Sequence, residues 1–172
     1  DTAPIFERYY AERAGVGFIG RNGMLIVPGH GSYVLLAEIV TTLEIEPDAQ
    51  CELTCRGCSR CESACPRRCL SGGEVDASQC MSYLTIEYRG EQLPEGVTPG
   101  SRIYGCDICQ EVCPHNVDTQ TAPLAEFMPR PELDALTPER IATLTGGDYK
   151  RLVKDSAISR ASLKMIKRNL LF

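Results

Sequence analysis

The chain has no tryptophan and only two histidines, and aromatic residues fill just 6% of its 172 positions. That complement is too thin for a large aromatic core, so packing alone is not what holds a chain of this size together. Long apolar runs are missing too. The longest, Tyr33 to Val40, is broken by Glu38 and falls far short of the ~20 residues of a membrane helix, so no membrane association is expected. No stretch resembles a signal peptide and no low-complexity tract occurs.

What the chain has in excess is cysteine, ten in all. Cys55, Cys58, Cys61 and Cys65, followed by Pro66, form a C-x2-C-x2-C-x3-C-P run; Cys80 follows, then Cys106, Cys109 and Cys113 ahead of Pro114. This is the ligand spacing of a bacterial-type pair of [4Fe-4S] clusters, in which the fourth cysteine of a run serves the other cluster. A disulfide framework suits the even count but belongs to secreted domains. A four-thiolate zinc site at Cys55, Cys58, Cys106 and Cys109 would leave Cys61, Cys65, Cys80, Cys113 and both prolines without a reason. The exchange rule gives Cys55, Cys58, Cys61 and Cys113 to one cluster. The second takes Cys106, Cys109 and Cys65, with Cys80 replacing the cysteine absent at Ile103. Cys51 and Cys69 remain as packed or partly exposed thiols. Many reduced thiols point to the cytoplasm.

The net charge of −5 conceals an asymmetry: residues 1–54 carry 3 basic and 8 acidic side chains, whereas 119–172 carry 9 and 6. A final helix over Ser156–Leu171 places Arg160, Lys164, Lys167 and Arg168 on one face, either a solvated face of a packed helix or a phosphate-contacting one. Further expected elements are a helix from Pro4 to Ala14 closed by Gly15, strands at Met24–Val27 and Val34–Thr41 around a turn at Pro28–Gly31, and a helix capped by Thr137 that ends at Gly146–Gly147. Gly15, Gly17 and Gly20 fit G-x-G-x-x-G but follow a helix, which removes the dinucleotide-binding context. A loop whose backbone lies against a flat cofactor stays open.

Several segments go beyond a simple ferredoxin. Asp1-Thr2-Ala3-Pro4, Glu7-Arg8, Ala14 to Asn22, Cys80 to Glu87, Arg102 to Asp107, Cys109-Gln110, Ser156-Ala157-Ile158, Arg160 and Arg168-Asn169 together closely resemble the epoxyqueuosine reductases, nearly end to end. The resemblance implies an α+β protein: part of a cobalamin-binding reductase core at 1–50, a ferredoxin-like double [4Fe-4S] domain at 51–118, and a helical segment at 119–172. Members of that family carry a sizeable portion ahead of the Asp-Thr-Ala-Pro motif, so the match is to their C-terminal part. The activity implied is removal of the epoxide oxygen of epoxyqueuosine to give queuosine at the tRNA wobble position, using cobalamin and two [4Fe-4S] clusters. Asp1 matches the family's proton donor. Gly20, Asn22, Leu25, Ser82, Cys106 and Asp107 match positions near the corrin, and neither His30 nor His115 sits in a motif for an axial cobalt ligand. Tyr83, Arg89, Arg102 and Tyr104, with Arg160, Lys164, Lys167 and Arg168, are candidates for holding an anticodon loop. The implied partners are queuosine-type tRNAs and an electron donor, with the enzyme a monomer. A two-cluster electron-transfer module and a cobalamin-dependent reductive dehalogenase are the alternatives.

Overall fold

The computed structural model describes residues 4–120 and 124–170. Its helices are α1 (Glu7–Arg13), α2 (Arg60–Ala64), α3 (Met81–Ile86), α4 (Ile108–Glu111), α5 (Pro131–Asp134), α6 (Pro138–Thr143), α7 (Gly146–Leu152) and α8 (Leu163–Leu170). Strands β1 (Phe18–Ile19) and β2 (Leu25–Ile26) form one antiparallel pair, β3 (Leu70–Ser71) and β4 (Glu74–Val75) another. The protein is thus mixed and mostly helical, with two small sheets.

The described residues fall into two units. One runs to Asp76 and adds Asp107–Gln120; the other is Ala77–Cys106 with the described residues beyond Gln120.

In the first unit, α1 ends where expected. Gly15 takes a left-handed conformation (φ 75°) and its N–H closes on the Glu12 carbonyl. The chain then enters the β1–β2 hairpin, in which Phe18 pairs with Ile26 and Ile19 with Leu25. Gly17 permits the close approach, because a Cβ there would stand 2.2 Å from the Ile26 carbonyl oxygen. The glycine series therefore serves a hairpin. Phe18 and Ile26 pack with Cys113 into a small core against which Cys51 and Cys55 lie.

The expected strand at Val34–Thr41 is corrected: this stretch has no regular structure, and Leu35, Ile39 and Val40 are 82%, 90% and 96% exposed. A strand needs an edge to pair with. Among the described residues of this unit, only the isolated bridge Val27–Gly31 continues the hairpin.

The second unit packs α6, α7 and α8 around Ile141, Tyr149, Val153, Ala161, Met165 and Ile166. Thr137 caps α6 by accepting from the Arg140 N–H, as expected. Gly146–Gly147 do not end that helix. It closes at Leu144, and the glycines open α7, where the Thr145 hydroxyl oxygen accepts from the Asp148 N–H. Thr145 is a stronger signal for a helix start than two glycines are for its end. The single helix over Ser156–Leu171 is also corrected. A 3-10 turn at Ala157–Arg160 precedes α8, and Ala161 between them is extended and fully buried.

Tyr149 is 5% exposed and its hydroxyl donates to the Ala161 carbonyl at 2.8 Å. Burial, and secondarily Tyr104, pushes its pKa up to about 12. Above pH 10 the unfolded phenol ionises while the folded one keeps its proton, so stability falls as pH rises from about 10 towards 12. The difference between an ordinary phenol and one raised to about 12 corresponds to roughly 2–3 kcal/mol. Tyr149→Phe is expected to flatten the alkaline limb of a denaturation-versus-pH profile.

Candidate functional site

The first unit brings four of the predicted ligands together. Cys55 and Cys58 flank a turn made by Arg56 and Gly57, both with positive φ (44° and 80°), and the Cys58 N–H donates to the Cys55 carbonyl at 2.9 Å. Helix α2 starts after Ser59 and carries Cys61 on its buried side. Cys113 follows α4, its N–H donating to the Gln110 carbonyl, and Pro114 turns the chain into a 3-10 turn at Pro114–Asn116. Cys55, Cys58, Cys61 and Cys113 then line one cavity, closed by Asn22, Ile26, Pro114 and His115. This is the set the exchange rule predicts.

The arrangement suits a cubane. Among the described residues no three Cys, His, Asp or Glu side chains converge as a single ion requires. In a [4Fe-4S] cluster each thiolate holds a different iron, so the ligands ring a cavity instead of converging. Burial pushes the Cys61 and Cys113 thiols up in pKa. A bound cluster would supply the positive charge that makes them thiolates.

Polar contacts brace this cavity. Arg21 grips Glu62 of α2 with a two-pronged contact, Nε to Oε1 and Nη2 to Oε2, each 3.0 Å, while its backbone N–H reaches Cys55 Sγ at 3.4 Å. The hydrogen bond to Arg21, then its charge, holds the Glu62 carboxyl below its ordinary pKa. On the Cys113 side, Ser32 Oγ donates to Gln110 Oε1 at 2.8 Å. Asn116 accepts from the Ser32 N–H at 2.7 Å and donates to the Gln110 carbonyl at 2.8 Å. Neither brace is visible as a motif. The one signal was the placement of Gln110 and Asn116 three residues either side of Cys113.

Two of the other four predicted ligands fall in each unit. Cys65 ends α2 in extended conformation and Cys109 lies in α4, both in the first unit. Cys80 precedes α3 and Cys106 closes its segment of the second unit. Cys65 Sγ lies 3.4 Å from Cys69 Sγ. Burial acts to raise the Cys65 pKa, but hydrogen bonds from Cys69 and from the backbone at Arg67 and Arg68 outweigh it and lower it.

Of the positions matched to the corrin, Gly20, Asn22 and Leu25 are buried on the hairpin. Gly20 faces its own chain: a Cβ there would meet Ile26 Cδ1 at 2.6 Å. Ser82 and Cys106 are half-buried, and the exposed Asp107 accepts from Gln110 Nε2 at 2.7 Å. Asp1 lies outside the described residues.

The proposed tRNA contacts differ in availability. Tyr83 is 39% exposed. Lys164 is exposed and pairs with Glu91 at 2.7 Å. Arg89 lies near Glu87, and Arg160, off α8, also pairs with Glu87. Tyr104 donates to the Ala157 carbonyl, Lys167 to those of Ala142 and Leu144, and Arg102 is half-buried. Arg168 is 7% exposed and turned inward. The four cations therefore do not form one open face.

The comparisons agree with this geometry. Residues 54–116 match the family model for a 4Fe-4S double cluster binding domain. An epoxyqueuosine reductase of Gloeobacter violaceus is 38% identical over 98% of this chain and 55% of its own length; one from Synechocystis sp. is 39% identical over 98% and 60%. A crystal structure of an epoxyqueuosine reductase bound to an epoxyqueuosine-modified tRNA-Tyr stem loop superposes with a TM-score of 0.90 at 35% identity, covering 99% of this chain and 46% of that one. The chain thus spans about half the length of the relatives it matches. It is an epoxyqueuosine reductase homologue, corresponding to the C-terminal part of those proteins and carrying their 4Fe-4S double-cluster domain.

Proposed function

We propose that this chain is the cluster-bearing part of a reductase that converts epoxyqueuosine to queuosine in tRNA. The observation that carries the reading is the ring of Cys55, Cys58, Cys61 and Cys113 around one cavity, in a chain homologous to the reductases over 98% of its length. The thiols of this ring hold one cluster. The second set, Cys65, Cys80, Cys106 and Cys109, rests on sequence spacing. Cobalamin, when bound, supplies a reducible centre for opening the epoxide, and this part of the proposal rests on the family. Gly20, Asn22, Leu25, Ser82, Cys106 and Asp107 are its candidate neighbours.

Asp1 is assigned the proton that the departing epoxide oxygen needs. The tRNA partner follows from the stem loop bound by a relative, with Tyr83, Arg89, Arg160 and Lys164 the exposed candidate contacts. The half-length match favours a second reading for these residues on their own, an electron-transfer module that relies on further protein for turnover. Added cob(II)alamin separates the two: a protein-dependent change in its EPR signal supports the reductase part, and an unchanged signal supports the module.

The test of activity is Asp1→Asn in a protein of the relatives' full length. Iron and cobalamin contents are expected to stay unchanged while epoxide reduction falls about 100-fold or more, the usual range for a lost general acid. Undiminished reduction would remove Asp1 from the mechanism.

A further inference from the structure

Asn22 is 4% exposed, and its Oδ1 accepts from the Met24 N–H at 3.2 Å, which fixes the amide plane. Its Nδ2 is buried with no hydrogen-bond partner. A buried amide donor left unpaired is costly, so such groups are retained where an acceptor meets them. The residue lines the cavity ringed by Cys55, Cys58, Cys61 and Cys113. From the same turn, the Arg21 N–H already points at Cys55 Sγ, and the Arg21–Glu62 pair anchors the turn to the helix that bears Cys61.

We propose that the Asn22 side-chain amide donates a hydrogen bond to a sulfur of the first cluster and thereby raises that cluster's reduction potential. The inference rests on the reading that Cys55, Cys58, Cys61 and Cys113 hold a [4Fe-4S] cluster. Taking up one electron adds negative charge to the cluster, and that charge spreads onto its sulfurs. An N–H donor aimed at sulfur stabilises the reduced form more than the oxidised one, and hydrogen bonds to the sulfurs are among the features that set cluster potentials. Asn22 is thus a tuning residue: it holds no iron, but it shifts the balance at which the first cluster accepts or passes on an electron. Ile26 and His115 at the same cavity offer the cluster apolar and ring contacts, so the Asn22 amide and the Arg21 N–H are the donors this turn presents.

The experiment is a dithionite titration, followed by EPR, of the cluster-reconstituted chain and two variants. Asn22→Asp keeps the acceptor for the Met24 N–H and loses the donor; Asn22→Leu loses both. The couple that disappears in Cys113→Ala identifies the first cluster. In either variant that retains its iron, the reduced-to-oxidised ratio of this couple at the native midpoint is expected to fall about tenfold, a downward shift of 59 mV for one electron. The other couple stays in place. Unchanged potentials with full iron would overturn the proposal. Should both variants lose iron, the native chain decides: with ¹⁵N confined to asparagine side-chain amides, pulsed EPR of the reduced first cluster shows a ¹⁵N coupling if the bond exists and none if it does not. A native chain in which Cys113→Ala removes no couple would instead fail the cluster reading itself.

Discussion

Cys113→Ala leaves the chain with one cluster: iron falls from about eight to about four per chain. The side chain is 8% exposed and is the ligand farthest in sequence from the other three around the cavity. On the proposed assignment it would tie α2 to the segment after α4 through metal, beside a small core whose buried members among the described residues are Phe18, Ile26 and Cys113 itself. Binding energy at such a site is folding energy, so the first unit is expected to lose several kcal/mol along with its iron. The second predicted set does not use Cys113 and keeps its cluster. Cys51→Ala and Cys69→Ala, at the thiols left outside both sets, are expected to retain about eight irons. Iron and labile sulfide assays on the three variants check this, and eight irons in Cys113→Ala would break the assignment.

Arg168→Leu destabilises the second unit by roughly 3 kcal/mol. Every donor of this guanidinium is engaged. Nη1 donates to the Tyr88 and Gly90 carbonyls at 2.8 Å, Nη2 to the Leu84 carbonyl at 2.9 Å, and both Nε and Nη2 to Asn169 Oδ1. The charge lies 5.6 Å from the Tyr88 ring centroid. Asn169, fully buried, donates in turn to the Thr85 and Ile103 carbonyls at 2.8 Å. These two adjacent residues satisfy the orphan carbonyls at the end of α3. Burial lowers the Arg168 pKa, but five hydrogen bonds to neutral acceptors keep the group charged. A leucine fills the space and leaves the carbonyls unpaired. Arg168→Lys is expected to lose nearly as much, because an ammonium has three donors and no planar fork. Denaturant midpoints measure both, and a native-like midpoint in Arg168→Leu would contradict the clamp.

The clamp explains why the basic end of the chain was legible only in part. Helical spacing put Arg160, Lys164, Lys167 and Arg168 on one face, and charge counting made that face a candidate for phosphate. Neither consideration registers that a cation finds carbonyl partners as readily as water. The break at Ala161 moves Arg160 off the helix, and the acceptors at Leu84, Tyr88 and Gly90 turn Arg168 inward. The Val34–Thr41 segment failed for a related reason: propensity records which residues suit a strand, not whether an edge waits for them. Local chemistry was readable where it acts locally. Thr137 with Pro138 marked a helix start, and Gly15 marked a helix end. The cysteine runs were the most legible feature, because their spacing is short-range and the double-cluster family model matches across them; around the first cavity, Cys113 is the candidate that the fold brings in from a distance. Asn22 carried no sequence signal for its unpaired donor. That appears only once the cavity is built.

The measurement that bears most directly on the account is Mössbauer spectroscopy with metal and sulfide analysis of the chain, reconstituted without oxygen. About eight irons and eight sulfides per chain are expected, in two [4Fe-4S] environments. Zinc bound in place of iron, or four irons in a single environment, would contradict it.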